Sequence, residues 1–230
     1  MELTSNYRHE LKYQINYCDY LSLKRRISPI MKHDSHTNSN GLYTIRSIYF
    51  DNYQDKALHE KIDGIQKREK FRIRYYNDDL SYIVLEKKIK HNDLCMKISS
   101  PLTTEEYHQI IQSPDCWMLT HQQPLINELY YKMKVQLLKP RVIVSYIREP
   151  FIYNVGNVRV TFDYHISTSL FQRDFQKEQI TNVLATDNPS DMILEIKYDN
   201  FLPETIQSLL QTEQLRQQAF SKYGICRRFG

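Results

Sequence analysis

Charged and apolar residues alternate along at least five segments of this chain, and this pattern narrows the possible folds more than any other. In FRIRYY, Arg72 and Arg74 share one face of a strand, and Phe71, Ile73 and Tyr75 share the other. Four more segments carry such pairs: Glu10 and Lys12, Glu86 and Lys88, Arg159 and Asp163, and Glu195 and Lys197. One strand of this kind is typical of a half-exposed antiparallel sheet. Five strands with charged pairs and little Ser, Thr or Gln favour an enclosed charged surface.

A sheet that closes into a barrel would turn these charged faces inward. Eight strands leave an interior wide enough for side chains or one slender ligand. That interior would contain six cations: Lys12, Arg72, Arg74, Lys88, Arg159 and Lys197. Because unpaired buried charge is unfavourable, the interior must hold water, and its positive excess favours a polyanion. The acids suit an oxygen-binding divalent metal such as Mg²⁺ or Mn²⁺: Glu10, Glu86, Asp163 and Glu195.

The periodicity predicts one α+β domain over residues 1–230, with a closed barrel of about eight mostly antiparallel strands and flanking helices. Predicted strands cover 7–16, 43–52, 69–77, 81–90, 96–100, 141–153, 158–166 and 192–200. Predicted helices cover 18–31, 102–112, 124–138, 203–211 and 215–224, and polar loops cover 33–41 and 172–191. Thr103 and Glu106 have the spacing of a capping box.

Composition excludes several classes of site and protein. With five glycines there is neither a G-x-G-x-x-G nor a Walker-type loop, so side chains would have to bind any phosphate. A net charge of +4 and the absence of an RNP motif argue against nucleic acid as a partner. The four scattered cysteines are expected to be reduced thiols. No signal peptide or apolar membrane span is present, which predicts a cytoplasmic protein.

Seven segments in a fixed order resemble a known family: RHELKY, IRSIYFDN, KFRIRYYN, LEKKIK, NVRVTFD, LEIKYDNFLPE and AFSKYG. They are similar to the vacuolar transporter chaperone (VTC) polyphosphate polymerase domain, in its bacterial stand-alone form, within the CYTH-like triphosphate tunnel metalloenzymes. The resemblance runs from about residue 7 to 228. It implies a tunnel in which the γ-phosphate of ATP is transferred to a growing polyphosphate chain. Any coupling to translocation at the inner face of the membrane would require a separate membrane partner.

The resemblance also implies roles for particular residues. The phosphate ligands would be Lys12, Arg72, Arg74, Lys88, Lys97, Arg148, Arg159 and Lys222. Glu195 would bind Mn²⁺ or Mg²⁺, with Asp163 as a second ligand and with neighbouring tunnel residues Glu10, Glu86 and Lys197. Arg148 shares its face with apolar residues, so a bulge near Glu149 and Pro150 is expected to re-aim it. Arg46 and Asp51 could face the tunnel or form ion pairs that hold the fold.

Three functions are compatible with these residues. The first is a nucleotide-dependent polyphosphate polymerase. The second is an inorganic triphosphatase or nucleoside triphosphatase, in which water receives the phosphoryl group. The third is a non-catalytic module that binds polyphosphate, against which the presence of both Glu195 and the basic set argues.

Overall fold

A computed structural model describes residues 7–112, 114–169, 183–185, 192–211, 217 and 220–228. Its strands are β1 Arg8–Ile15, β2 Lys32–His33, β3 Tyr43–Asp51, β4 Lys67–Tyr76, β5 Asp79–His91, β6 Leu94–Leu102, β7 Lys139–Tyr153, β8 Val158–Ser169, β9 Val183–Leu184 and β10 Met192–Tyr198. Its helices are α1 Tyr17–Ile27, α2 Lys56–Ile62, α3 Thr104–Gln112, α4 Pro124–Val135, α5 Glu204–Leu210 and α6 Lys222–Arg228.

Eight strands close into a ring in which every neighbouring pair is antiparallel. Their order is β7, β3, β4, β5, β6, β1, β10 and β8, and β8 pairs back with β7. The two-residue strands β2 and β9 add to β7 and β8 outside this ring. The predicted closed antiparallel barrel of an α+β protein is therefore confirmed.

Alternating residues of each strand place apolar side chains on the outer face of the barrel wall and charged side chains on the inner face. Phe71, Ile73 and Tyr75 are buried beneath α3 and α4, on the face opposite the two arginines of β4. A second outer cluster packs α1 and α5 against β1, β8 and β10. Burying one large apolar side chain contributes about 1.5–3 kcal/mol. These two clusters account for the apolar half of the alternating pattern.

Part of the barrel interior is also apolar, which the sequence analysis did not predict. Val142, Val144 and Tyr146 face inward from β7 and pack against Tyr223 and Cys226 of α6. Helix α6 therefore packs against the inner face of the barrel instead of lying outside it. Tyr146 and Tyr223 of this cluster also border the charged part of the barrel interior.

The β7–β8 pair contains a bulge, but it lies in β8. The prediction of a bulge at Glu149 and Pro150 was therefore wrong. The β7–β8 ladder runs without a break through both residues, and its register shifts instead beyond Ser145. His165 has φ +51° at that shift, and Ile166 beyond it joins the inner cluster. Arg148 points into the barrel without a bulge, because it shares the inward face of β7 with the apolar residues that pack against α6.

Several helix boundaries differ from the prediction. Helix α2 was missed because its capping groups come from β3 and the residue after it: Asp51 Oδ1 accepts from Ala57 N at 2.9 Å, and Asn52 Oδ1 from Lys56 N at 3.0 Å. Helix α6 begins at Lys222 rather than at 215, since Gln217 forms a β-bridge with β1. The predicted loop 172–191 lies largely outside the described residues.

Other predictions concern caps, thiols and membrane spans. The capping box is confirmed: Thr103 N donates to Glu106 Oε2 at 2.8 Å, and Glu106 N to Thr103 Oγ1 at 3.2 Å. All four cysteines are free thiols. In the described part of the chain, no helix has the length and apolar character needed to cross a bilayer.

Candidate active site

The barrel encloses a cavity of about 710 Å³ with a large excess of positive charge. The cations that line it are Lys12, Lys61, Arg68, Lys70, Arg72, Arg74, Lys88, Lys90, Arg148, Lys197 and Lys222. The acids among its described lining residues are Glu10, Asp93 and Glu195. Eleven cations against three acids cannot be balanced within the lining itself. The volume falls in the range of small-molecule sites.

Nine of the thirteen predicted site residues line this cavity. They are Glu10, Lys12, Arg72, Arg74, Lys88, Arg148, Glu195, Lys197 and Lys222. The other four are Glu86, Lys97, Arg159 and Asp163, each of which forms ion pairs described below. The strands and α6 therefore bring together residues separated by up to about two hundred positions in the sequence.

Glu86 is the counter-ion that orients the arginines of β4. It is 2% exposed, and its Oε2 atom accepts from Arg72 Nε at 2.6 Å and lies 3.7 Å from Arg74 Nη1. Its Oε1 atom accepts from Lys97 Nζ at 2.9 Å. Arg72 Nη1 also donates to Tyr49 Oη at 2.9 Å. Burial raises the pKa of Glu86, but the three cations outweigh it and hold that pKa well below its usual range.

Asp163 is a second buried counter-ion, and its geometry does not fit the predicted role of metal ligand. Arg148 donates from Nε and Nη2 to the two carboxylate oxygens of Asp163 at 2.6 and 2.7 Å. Lys222 Nζ lies 2.6 Å from Oδ2. The residue has no exposed surface and does not line the cavity. Asp163 instead positions Arg148 and Lys222, whose side chains do line it.

Glu10 and Glu195 are carboxylates that face the cavity from neighbouring strands. Lys12 Nζ lies 3.5 Å from Glu10 Oε2 and 3.9 Å from Glu195 Oε2, and Lys197 forms ion pairs with both. Burial raises the pKa of each carboxyl group, but the surrounding cations lower it by more. Each pKa therefore lies below its usual range, and the carboxyl groups stay ionised. Burial also lowers the pKa of Lys197 to about 8, even with both acids beside it.

Arg159 lies on the predicted inner face of its strand, but its guanidinium group binds Asp34 and Tyr43 instead of facing the cavity. Its Nη2 atom donates to Asp34 Oδ2 at 2.8 Å and to Tyr43 Oη at 2.6 Å. Asp34 is 8% exposed and follows β2 directly. Arg159 and Lys97 are therefore the two predicted phosphate ligands that do not line the cavity.

Arg46 and Asp51 could face the tunnel or stabilise the fold, and both have the structural role. Arg46 points to the outer face, where its Nη2 atom lies 2.9 Å from Asp78 Oδ1. Asp51 caps α2 and accepts a hydrogen bond from Tyr223 Oη. Neither lines the cavity.

Four cations of the cavity lining were not predicted from the sequence: Lys61, Arg68, Lys70 and Lys90. For the last three of them a signal exists, because Lys70 and Arg68 continue the alternation of Arg72 by two and four residues, and Lys90 continues that of Lys88. Arg68 and Lys70 alternate with Lys67 and Glu69, however, so the contrast between charged and apolar faces is lost at this end of the strand. Burial lowers the pKa of Lys70 to about 7, and the charges of Lys88, Lys12 and Arg68 add to this effect.

A family model of the VTC domain matches residues 7–229. The chain belongs to the VTC domain family. No curated protein sequence matches the chain. This VTC domain thus has the tunnel architecture that the seven sequence segments implied.

Solved structures with a similar fold share little sequence with this VTC domain. A proposed adenylate cyclase from Vibrio parahaemolyticus is 12% identical, with a TM-score of 0.51, and the match covers 96% of this chain and 98% of that one. The PH1819 protein from Pyrococcus horikoshii OT3 is 12% identical, with a TM-score of 0.46 and 96% and 97% coverage. The Mimivirus capping enzyme triphosphatase is 13% identical, with a TM-score of 0.40 and 90% and 88% coverage. At 12% identity, the Vibrio likeness shows a shared fold alone.

Proposed function

We propose that this VTC domain is a polyphosphate polymerase, which transfers the γ-phosphate of a nucleoside triphosphate, ATP, to a growing polyphosphate chain. The observation that carries the proposal is the enclosed cavity, whose eleven Lys and Arg side chains outnumber the three acids of the lining and the two buried counter-ions Glu86 and Asp163. Such an excess of buried positive charge is unfavourable unless an anion compensates it. A chain of phosphates provides dense negative charge in a slender shape, which suits a closed eight-stranded barrel.

Side chains, not loop amides, would bind the phosphates. Arg72 and Arg74 would grip phosphate oxygens with planar donor pairs, which suits bidentate contacts. Lys12, Lys88 and Lys222 would act as point charges along the chain. Because Glu86 and Asp163 hold several of these cations in place, the site is organised before the substrate enters.

The acids that face the cavity fit a divalent metal shared with the substrate. Mg²⁺ is usually held by one or two carboxylates together with substrate phosphates. Glu195 would hold Mn²⁺ or Mg²⁺ here, with Glu10 beside it. In the described part of the chain, no three His, Cys, Asp or Glu side chains form a complete metal site, which fits an ion that the phosphates help to bind. When bound, the ion would supply positive charge that neutralises the triphosphate.

The transfer itself needs positioning and charge neutralisation from the protein. A terminal phosphate oxygen of the acceptor chain forms a bond to the γ-phosphorus, and the bond from that phosphorus to the β–γ bridging oxygen breaks. The bridging oxygen keeps the electron pair and leaves with ADP, so no proton has to move when the acceptor oxygen is ionised. Arg72, Arg74 and Lys222 would neutralise the charge that shifts between the oxygens.

Incubation of the purified protein with ATP and Mn²⁺, followed by gel analysis of the products, tests the proposal. We expect long-chain polyphosphate from the wild type and none from Glu195→Gln, which should still bind much of the triphosphate. The double variant Arg72→Ala/Arg74→Ala should lose binding as well as turnover. Lys67→Ala removes a cation from the exposed face of β4 and should retain full activity.

The same gel separates the alternatives. Orthophosphate without polymer would indicate a triphosphatase, because water would then be the acceptor. Tight polyphosphate binding without any turnover would indicate a binding module. Either outcome would reject the polymerase.

The sequence also leads us to propose a cytoplasmic location, with a separate membrane protein as partner for any translocation of the product. Fractionation of cells that produce the tagged protein would test both points, since loss of the partner should release a membrane-associated pool.

A further inference from the structure

The cavity wall formed by β4 and β5 carries like charges directly opposite one another. In this antiparallel pair, Arg68 lies opposite Lys90 and Lys70 opposite Lys88. The next pair on the same face of these strands is Arg72 and Glu86, which form an ion pair. Cross-strand pairs of like charge destabilise a sheet. These two pairs, Arg68–Lys90 and Lys70–Lys88, are called the cationic rungs below.

Few acids compensate the cationic rungs. Glu10 accepts from Lys88 with both oxygens at 2.7 Å, so this cation is balanced. No carboxylate within the described ranges forms an ion pair with Arg68, Lys70 or Lys90. The Lys70 ammonium instead lies 4.9 Å from the centre of the Tyr223 ring, and Arg68 Nη1 donates to the Ile65 carbonyl oxygen at 2.6 Å. Asp93 at the adjacent hairpin is the nearby acid of the lining.

The rungs lead from the end of the barrel to the proposed reaction site. Strand β5 ends at His91, so the Arg68–Lys90 rung lies at the mouth, and Lys70–Lys88 lies between it and Arg72. Four residues of strand span roughly 13 Å, which extends the basic surface well beyond Arg72. Positive charge this far from the reaction site is not needed to hold a single triphosphate.

We propose that the cationic rungs form a subsite for the phosphate units of a polyphosphate chain beyond the first three, with Arg68, Lys70 and Lys90 as its ligands. This inference rests on the proposed function, because it assigns where the growing chain lies in the same tunnel. The rungs then determine selectivity for long chains over triphosphate. A chain lying across them also removes the like-charge repulsion between Lys70 and Lys88. Burial and the neighbouring cations lower the pKa of Lys70 to about 7, and a bound anion would raise that pKa.

Calorimetric titration at fixed ionic strength with inorganic tripolyphosphate and with a medium-chain polyphosphate tests this subsite. The variants are Lys70→Met and the double variant Arg68→Ala/Lys90→Ala. Lys67→Met is the matched control, because it removes a cation from the opposite, exposed face of the same strand. We expect the cavity variants to lose about tenfold or more in affinity for the medium chain and roughly threefold or less for tripolyphosphate.

The control should bind both ligands as the wild type does. Equal losses for the two ligands, or no loss for either, would overturn the subsite while leaving the proposed function intact. A wild type that binds neither ligand would overturn the proposed function as well. Thermal melting of the two cavity variants distinguishes loss of a ligand contact from loss of folding, because removing these uncompensated cations should not lower stability.

Discussion

Substituting Glu86 with Gln removes the negative charge that balances Arg72, Arg74 and Lys97. Glu86 is 2% exposed, and its carboxylate lies 2.6 Å from Arg72 and 2.9 Å from Lys97. Breaking a buried ion pair from one side typically costs about 3–5 kcal/mol. Because the arginines border a cavity that water can enter, screening reduces this cost, and we expect the free energy of unfolding to fall by about 2–3 kcal/mol.

Urea unfolding with and without tripolyphosphate measures the effect. The phosphate chain supplies the charge that the variant lacks, so tripolyphosphate should stabilise Glu86→Gln more than the wild type. Glu128→Gln is the matched control, because Glu128 pairs with Lys87 on the outer face of the same strand and is 35% exposed. Its substitution should cost about 1 kcal/mol or less. Unfolding of Glu86→Gln at the wild-type urea concentration, or equal stabilisation of both proteins by ligand, would refute the reasoning.

Three further predictions concern stability. Asp163→Asn in the presence of a chelator should lower the free energy of unfolding by about 3 kcal/mol, because Asp163 balances Arg148 and Lys222 without any metal; unchanged urea unfolding would contradict this. The pKa values of Glu86 and Asp163 are lowered in the folded protein, so the stability that these groups contribute is present above their unfolded pKa. It is lost as the pH falls below about 4.5, and melting temperatures followed by circular dichroism should decrease over that range. Burial lowers the pKa of Lys70 from 10.5 to about 7, so the unfolded chain binds more protons between these values and stability should rise with pH across that window. Lys70→Met should remove about 1–2 kcal/mol of that rise in pH-dependent unfolding experiments.

The barrel could be predicted because its signal is local in the sequence. The two-residue period of a strand assigns Phe71 and Ile73 to one face and Arg72 and Arg74 to the other, whatever the rest of the chain does. Five strands that share a charged face favour an enclosed surface, and the cost of burying charge then requires that this interior hold water or an anion. The capping box at Thr103 is likewise a signal contained within four residues.

The remaining features depend on contacts between distant residues, which periodicity does not contain. Arg159 has the correct face, but Asp34, which lies 125 positions away, draws its side chain out of the cavity. The inward packing of α6 requires the apolar inner face of β7 and the burial of Tyr223 within it. A short helix such as α2 forms because Asp51, at the end of a buried strand, caps it. Propensity over seven residues is too weak to predict such a helix.

A crystal structure of the protein with bound tripolyphosphate and Mn²⁺ tests the central claim most directly. The account predicts phosphate oxygens inside the barrel, within hydrogen-bonding distance of Arg72 and Lys222, and a Mn²⁺ anomalous peak beside Glu195. Tripolyphosphate bound on the outer surface, with the interior of the barrel holding only water, would contradict it.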